Sequence, residues 1–257
     1  MIKWEMEKDI IFIVKSMDSK YVESTIKQGR LCFNTPQVFD DKSLNLAQYD
    51  KYDSWMQYEA RDIYIAPLLE DNERHLSYGK PVKILEKATI HEIDGINKSV
   101  PICCFRKIDE NEITVFDDKM IVTIETEVVE RIKNEFGHNS FILIVNPNMF
   151  LDRICLNSSC YAHSIYYTDN KIEFEKYIES VPEELVQAKM FQKEQKYAWQ
   201  KEYRVILPPI SDNNNRRFVE IGNLEDIAIV GEIEQLSKGV EIKYSDYEFI
   251  RKNLIIE

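Results

Sequence analysis

Phe141-Ile-Leu-Ile-Val145 is the most apolar run in this chain. A run of that length is too short for a buried helix and too uniform for a strand with one wet face. It therefore predicts a strand at the centre of a sheet, with both faces covered. Whatever fold the chain adopts must supply a layer on each side of that strand. A chain of 257 residues with 44% hydrophobic and 11% aromatic side chains has the material to do so.

The rest of the pattern predicts strands interrupted by helices of irregular length. Asp9–Val14 reads as a first strand, and Ser19–Gln28 as a helix with Tyr21, Val22 and Ile26 on one face and Gly29 as its stop. Arg30–Phe33 is a short strand, and Pro36 with Asp40 and Asp41 marks a turn or helix cap. Leu44–Asn72 fits one or two helices. The polar stretch 71–98 is a candidate mobile insertion or lid. Val100–Phe105 and Lys119–Ile124 follow as strands, then a helix from Glu127 to Phe136 closed by Gly137. Tyr161–Tyr167 is a strand, Lys171–Ser180 a short helix, and Pro182–Ala198 the longest helix. Tyr203–Leu207, Arg217–Ile221, Ile227–Val230 and Val240–Tyr244 complete the strands. The sum is an α+β fold, with a central mixed, largely antiparallel sheet flanked by helices in one domain over 1–257.

Composition narrows the function classes. The 45 acidic residues outnumber the 33 basic ones for a net charge of −12, which disfavours direct nucleic-acid binding and an anionic membrane surface. The opening Met1-Ile-Lys-Trp-Glu-Met-Glu-Lys-Asp is charged where a secretory signal is apolar, and no run nears the roughly 18 apolar residues of a membrane span. These features predict a cytoplasmic protein. Cys32, Cys103, Cys104, Cys155 and Cys160 form an odd set without a Cys-x-x-Cys pair, as reduced and mostly buried thiols would. Cys160 and His163 stand three apart, a spacing that invites a nucleophile and base or a metal pair, but in a strand-like segment they point to opposite faces and cannot cooperate without a turn between them. His75, His91 and His138 sit in polar, loop-like surroundings without ligand spacing, and no metal site is predicted. Seven glycines and the lack of a phosphate-loop motif leave no dinucleotide-binding turn of the Rossmann kind.

One stretch supports a site. In Lys196-Tyr-Ala-Trp-Gln-Lys-Glu-Tyr-Arg204, Trp199, Glu202 and Arg204 stand close together where a charged segment enters an apolar strand. Glu202 and Arg204 share a strand face and can form an internal ion pair, with Trp199 and Tyr203 as core or boundary aromatics. Glu173, Glu175, Glu179, Glu183 and Glu184 read as a solvated helix face.

Tyr21-x4-Ile26-x2-Gly29-x-Leu31-x-Phe33-x2-Pro36-x2-Phe39-x-Asp41, with Cys104-Phe105 and Trp199-x2-Glu202-x-Arg204, resembles a large bacterial family catalogued only as a domain of unknown function. The likeness covers about a third of the chain. Asp40 stands where that family has Asn, and Gln200 where it has its first motif glutamate. The opening strand, helix and Gly turn also look like the start of ADP-ribosyltransferase domains, and Gln200-Lys-Glu202 is similar to their Gln-x-Glu element. That resemblance implies NAD as cofactor. Glu202 would stabilise the oxocarbenium charge on the nicotinamide ribose and Gln200 would orient an acceptor. Arg30 or Arg106 would hold the pyrophosphate, Tyr21 or Trp199 would pack the nicotinamide, and Arg204 would complete the binding set.

Three function classes follow. One is an ADP-ribosyltransferase-like effector, such as a toxin, phage-defence or phage-encoded protein, in which Arg30 or Arg106, an aromatic and Glu202 converge on one cleft. Another is a non-catalytic acidic protein that binds a basic partner or inhibits a nucleic-acid-binding one. The last is a Mg²⁺-dependent nucleotide or nucleic-acid hydrolase using Asp40, Asp41 and Glu202.

Overall fold

The computed structural model describes residues 10–39, 56–65, 68–70, 76–78, 80–92, 97–169, 188–209 and 215–246. Strand β1 (Phe12–Met17) leads to helix α1 (Val22–Gln28), strand β2 (Arg30–Asn34) and the single turn α2 (Pro36–Phe39). Strands β3 (Met56–Ile65), β4 (Leu68–Glu70), β5 (Leu76–Tyr78) and β6 (Val82–Glu92) form antiparallel pairs, β3 with β6 and β4 with β5. Then come β7 (Ile102–Ile108), β8 (Ile113–Val115), β9 (Lys119–Val122), α3 (Thr126–Phe136), β10 (Ser140–Ile144) and α4 (Pro147–Asn157). The remaining elements are β11 (Tyr161–Ser164), β12 (Tyr166–Tyr167), β13 (Gln192–Lys193), β14 (Glu202–Ile206), β15 (Arg216–Glu220), β16 (Ala228–Glu232), α5 (Gln235–Lys238) and β17 (Val240–Lys243).

The principal sheet has eight strands, in the order β11-β14-β7-β1-β10-β16, with β2 and β15 branching from β7. Every pairing in it is antiparallel. The fold is α+β, as the pattern predicts. One edge of β7 carries β14 along its length, and the other is shared. Phe12–Val14 of β1 pair with Arg106–Ile108, whereas β2 joins only at Asn34 opposite Ile102. In the fork between β1 and β2, the Lys15 ammonium donates to the Cys104 carbonyl at 3.0 Å.

Side-chain alternation gives the sheet two differently built faces. On one, Ile13, Phe105, Tyr203, Val205 and Ile142 pack with Ile26 of α1 and Phe150, Leu151 and Ile154 of α4. On the other, Phe12, Val14, Phe141 and Leu143 meet Val129 and Ile132 of α3, while Ile102 and Ile206 meet Met190 and Phe191. Local chemistry sets the helix ends. Gly29 ends α1 in the left-handed region at φ 61°, and a Cβ there would sit 2.3 Å from the Gly222 carbonyl oxygen, so only glycine fits. Asn146 caps α4 by accepting from the Met149 N–H, and Pro147 occupies the first turn.

Several expectations need correction. Residues 56–65, expected within a helical stretch, form β3, because nine registered pairs with β6 outweigh local helix propensity. His91, expected in loop-like surroundings, lies within β6, and the polar stretch 71–98 contains β5 and β6, one strand of each antiparallel pair. The helix expected over Pro182–Ala198 is absent from Ala188 onward. Two 3-10 turns, Ala188–Phe191 and Gln195–Gln200, flank β13, which pairs in parallel with β12. Strand β10 is buried at every position but lies beside the edge strand β16, and β7 and β1 hold the centre. Asp40, Asp41, Lys171–Ser180 and residues 182–187 lie outside the described residues.

Candidate functional site: a buried charged cluster on β14

Glu202 opens β14 directly opposite Arg106 of β7, and Arg204 stands opposite Cys104. Alternation turns Tyr203 and Val205 into the apolar face with α4 and turns Glu202 and Arg204 to the other. Both charged residues are inside the fold, Glu202 5% exposed and Arg204 fully buried. Burial on that scale is tolerated only where each charge is paired and hydrogen-bonded.

Among the described residues, both charges find partners on the neighbouring strands and turns. Glu202 Oε1 accepts from Arg204 Nε at 2.5 Å, and Oε2 accepts from Lys193 Nζ at 3.1 Å. Arg204 Nη1 donates to the Met190 carbonyl at 2.7 Å. The Glu202 backbone N–H donates to the Tyr167 hydroxyl at 2.7 Å. Burial alone would raise the Glu202 carboxyl. The charges of Arg204 and Lys193, with hydrogen bonds from Arg204 and the Cys104 thiol, reverse that and hold it far below the ordinary carboxylate range. The Tyr167 phenol moves the other way, raised first by burial and then by the Glu202 charge.

A second network locks the turn that precedes β14. Arg106 donates from Nη1 to the Trp199 carbonyl at 2.8 Å and from Nη2 to Glu112 Oε1 at 2.5 Å. Lys201 adopts a left-handed backbone at φ 42°, unusual for a residue with a Cβ. Its ammonium lies 2.8 Å from Asp109 and 3.2 Å from Glu112, and its carbonyl accepts from the Lys107 N–H. These contacts hold the conformation that turns the 3-10 segment into the strand. The Trp199 ring lies under the Arg131 guanidinium, 3.9 Å from centroid to carbon, with Phe136 alongside at 6.2 Å.

The structure thus gathers Arg106, Trp199, Gln200, Glu202 and Arg204, but not Tyr21 and Arg30. Tyr21 is 55% exposed just before α1, the helix packed on the opposite face of the sheet. Arg30 is exposed and stacks on Phe218 of β15 at 4.6 Å, with β7 standing between its strand and β14. Gln200 ends the 3-10 turn rather than sitting on a strand with Glu202. Even so its Oε1 reaches the same ammonium, 3.0 Å from Lys193 Nζ. Lys193, Tyr167, Glu112 and Lys201 escape the sequence reading, because a lone lysine in a segment that reads as amphipathic helix looks solvated. His163 lies opposite Arg204 on β11, whereas Cys160 packs into the apolar face beneath α4, so that pair is separated as its spacing predicts. His138 is not loop-like in its contacts. It stacks on Phe136 and shares a 2.9 Å hydrogen bond with Ser16, and burial depresses it to about 4.

Comparison with family models, with curated proteins and with solved structures returns no match. Among the described residues no group of three His, Cys, Asp or Glu side chains is placed to hold a metal ion, and no helix is long and apolar enough to cross a membrane.

Proposed function

We propose that this chain acts by binding, as an acidic, non-catalytic protein engaging a basic partner, with the Glu202 cluster as its internal scaffold. The observation that carries this reading is that both Glu202 oxygens are taken up by Arg204 and Lys193 in a site only 5% exposed. A carboxylate that stabilises a developing cation on bound substrate must face that substrate, and this one faces two resident cations. The net charge of −12 supports a basic partner, since such a surface steers cationic groups toward it. The test is a thermal-shift titration with NAD and, separately, with a lysine-rich polypeptide at low and high salt. We expect no shift with NAD and a stabilisation by the polypeptide that salt removes. An NAD-dependent rise accompanied by nicotinamide release would overturn the reading.

One observation favours the second reading, an NAD-dependent ADP-ribosyltransferase-like activity. Gln200 and Glu202 converge on the Lys193 ammonium, which also lies 4.8 Å from the Tyr197 ring centroid. Two oxygens and an aromatic face around one positive charge make an environment suited to a cationic transition state. On this reading Lys193 must withdraw before NAD enters, so Lys193→Met should bind NAD more tightly than the parent chain, read in the same thermal-shift titration.

A further inference from the structure

The ladder between β2 and β15 fixes which way the backbone of β15 faces. The Thr35 N–H donates to the Asn215 carbonyl at 3.0 Å and the Ile221 N–H to the Gly29 carbonyl at 3.2 Å, one at each end of the pair. With Arg216 opposite Asn34 and Glu220 opposite Arg30, those bonds turn the N–H and C=O groups of Arg217 and Val219 toward β2 and those of Arg216, Phe218 and Glu220 away from it. Among the described residues β15 pairs with β2 alone, so these groups line an open edge. The two other edges of the principal sheet are blunted by side chains. On β16 the Glu232 N–H donates to Gln235 Oε1 at 2.9 Å, and on β11 the Ser164 carbonyl accepts from His163 Nδ1 at 2.8 Å. Alternation places the side chains of Arg216, Phe218 and Glu220 on one face of β15, away from the apolar cluster that takes Leu31, Phe33 and Val219. All three are exposed, Phe218 at 54%. Charges of opposite sign therefore flank an exposed ring at equal distance along the strand.

We propose that β15 is an interface for a second copy of this chain, the two strands pairing antiparallel, edge to edge, about a two-fold axis at Phe218. In that register Phe218 faces Phe218 of the second copy, Arg216 faces its Glu220, and Glu220 faces its Arg216. Every pair joins groups that already point outward, so each is a hydrogen-bonded pair in an isologous contact. Charges on an edge strand ordinarily keep other chains away. These repel a copy centred on Arg216 or on Glu220, where like charges meet, and accept the one centred on Phe218. On the open face each Glu220 then stands between Arg30 of its own chain and Arg216 of the other. The two rings form a cross-strand aromatic pair, each already stacked under its own Arg30 at 4.6 Å. The contact is short, so association is expected in the micromolar rather than the nanomolar range.

Sedimentation velocity on the full chain tests this from low-micromolar to submillimolar concentration. We expect a species of twice the 30.4 kDa chain mass to grow with concentration. Arg216→Glu and Glu220→Arg each set like charges against each other at both ends of the paired strands, and each alone should weaken dimerisation by about tenfold or more. An equal mixture of the two variants should restore it, because in the mixed dimer every carboxylate again faces a guanidinium. Phe218→Asp, which brings two carboxylates together on the axis, should abolish dimerisation and checks the centre of the register independently. The substituted side chains are exposed, so each variant should melt with the wild type. A wild-type chain that stays monomeric throughout overturns the proposal. So does a dimer that all three variants leave intact, or a mixture that associates no more tightly than its components.

Discussion

The two faces of β14 solve the burial problem in opposite ways. Tyr203 and Val205 enter a cluster filled by α4 and α1, where shape and apolar area suffice. Glu202 and Arg204, one residue along, enter a layer where partners from β7, β12 and β13 are specified atom by atom. An apolar layer accepts any side chain of suitable volume, whereas a buried charge accepts only its own counter-charge. The first face is therefore tolerant and insensitive to pH. The second is exacting and titratable.

The largest effect should come from Glu202→Gln, which leaves Arg204 and Lys193 buried against a neutral amide. We expect about 3–5 kcal/mol lost in urea unfolding, the range for breaking a buried ion pair from one side. Glu202→Leu combined with Arg204→Met should cost less than the sum of its single changes, and a double-mutant cycle reads that coupling. Phe150→Ala, on the apolar face, should cost a similar about 3–5 kcal/mol. Its cost should be the same at pH 7 and pH 4. That contrast breaks the comparison if it fails.

Acid should separate the faces further. His138 falls from 6.5 to about 4 on folding, so the folded state holds it neutral. A group with a depressed pKa gives stability that is complete above its unfolded value and lost as pH falls toward the folded one. Stability should therefore decline between pH 6.5 and 4, by on the order of 3 kcal/mol if burial is relieved only by unfolding. His138→Asn should flatten that window in urea midpoints taken pH by pH. Glu202 obeys the same sign from a lower start, its contribution draining away only below the ordinary carboxylate value near 4.5. The smallest effect should be Arg131→Ala, which removes the cation over Trp199 at a partly exposed site for about 0.5–1 kcal/mol, measured by thermal unfolding.

The sequence is most readable where one local signal determines the outcome. Gly29 and Gly137 end their helices in the left-handed conformation, and the apolar run at Phe141 is buried throughout. The antiparallel strands around Lys119, Tyr203, Arg217 and Val240 fall within a residue or two of their expected places. Readability ends where pairing partners are distant. Residues 56–65 take their conformation from 82–92, and Gln192–Lys193 from Tyr166–Tyr167. Helix α4 is missed although Asn146 and Pro147 announce its start, because Ile154 and Leu151 continue an apolar stretch without a clear period. At the site, the Glu202–Arg204 pair is legible from two-residue spacing alone. Lys193 is not, since nothing local links it to a carboxylate nine residues away.

The fork at β7 has a consequence for how the protein is made. Strand β7 takes its neighbours from residues 12–14, from Asn34 and from 202–206, so its second edge stays bare until about four-fifths of the chain has emerged from the ribosome. An unpaired, mostly buried strand is a template for other chains, and a nascent product halted before Glu202 would carry one at its middle. Arg106 and Cys104 lie on that strand, and the residues that stand opposite them on β14, Glu202 and Arg204, are still unsynthesised. The charged cluster therefore closes late, and it marks the moment at which a growing polypeptide stops being adhesive.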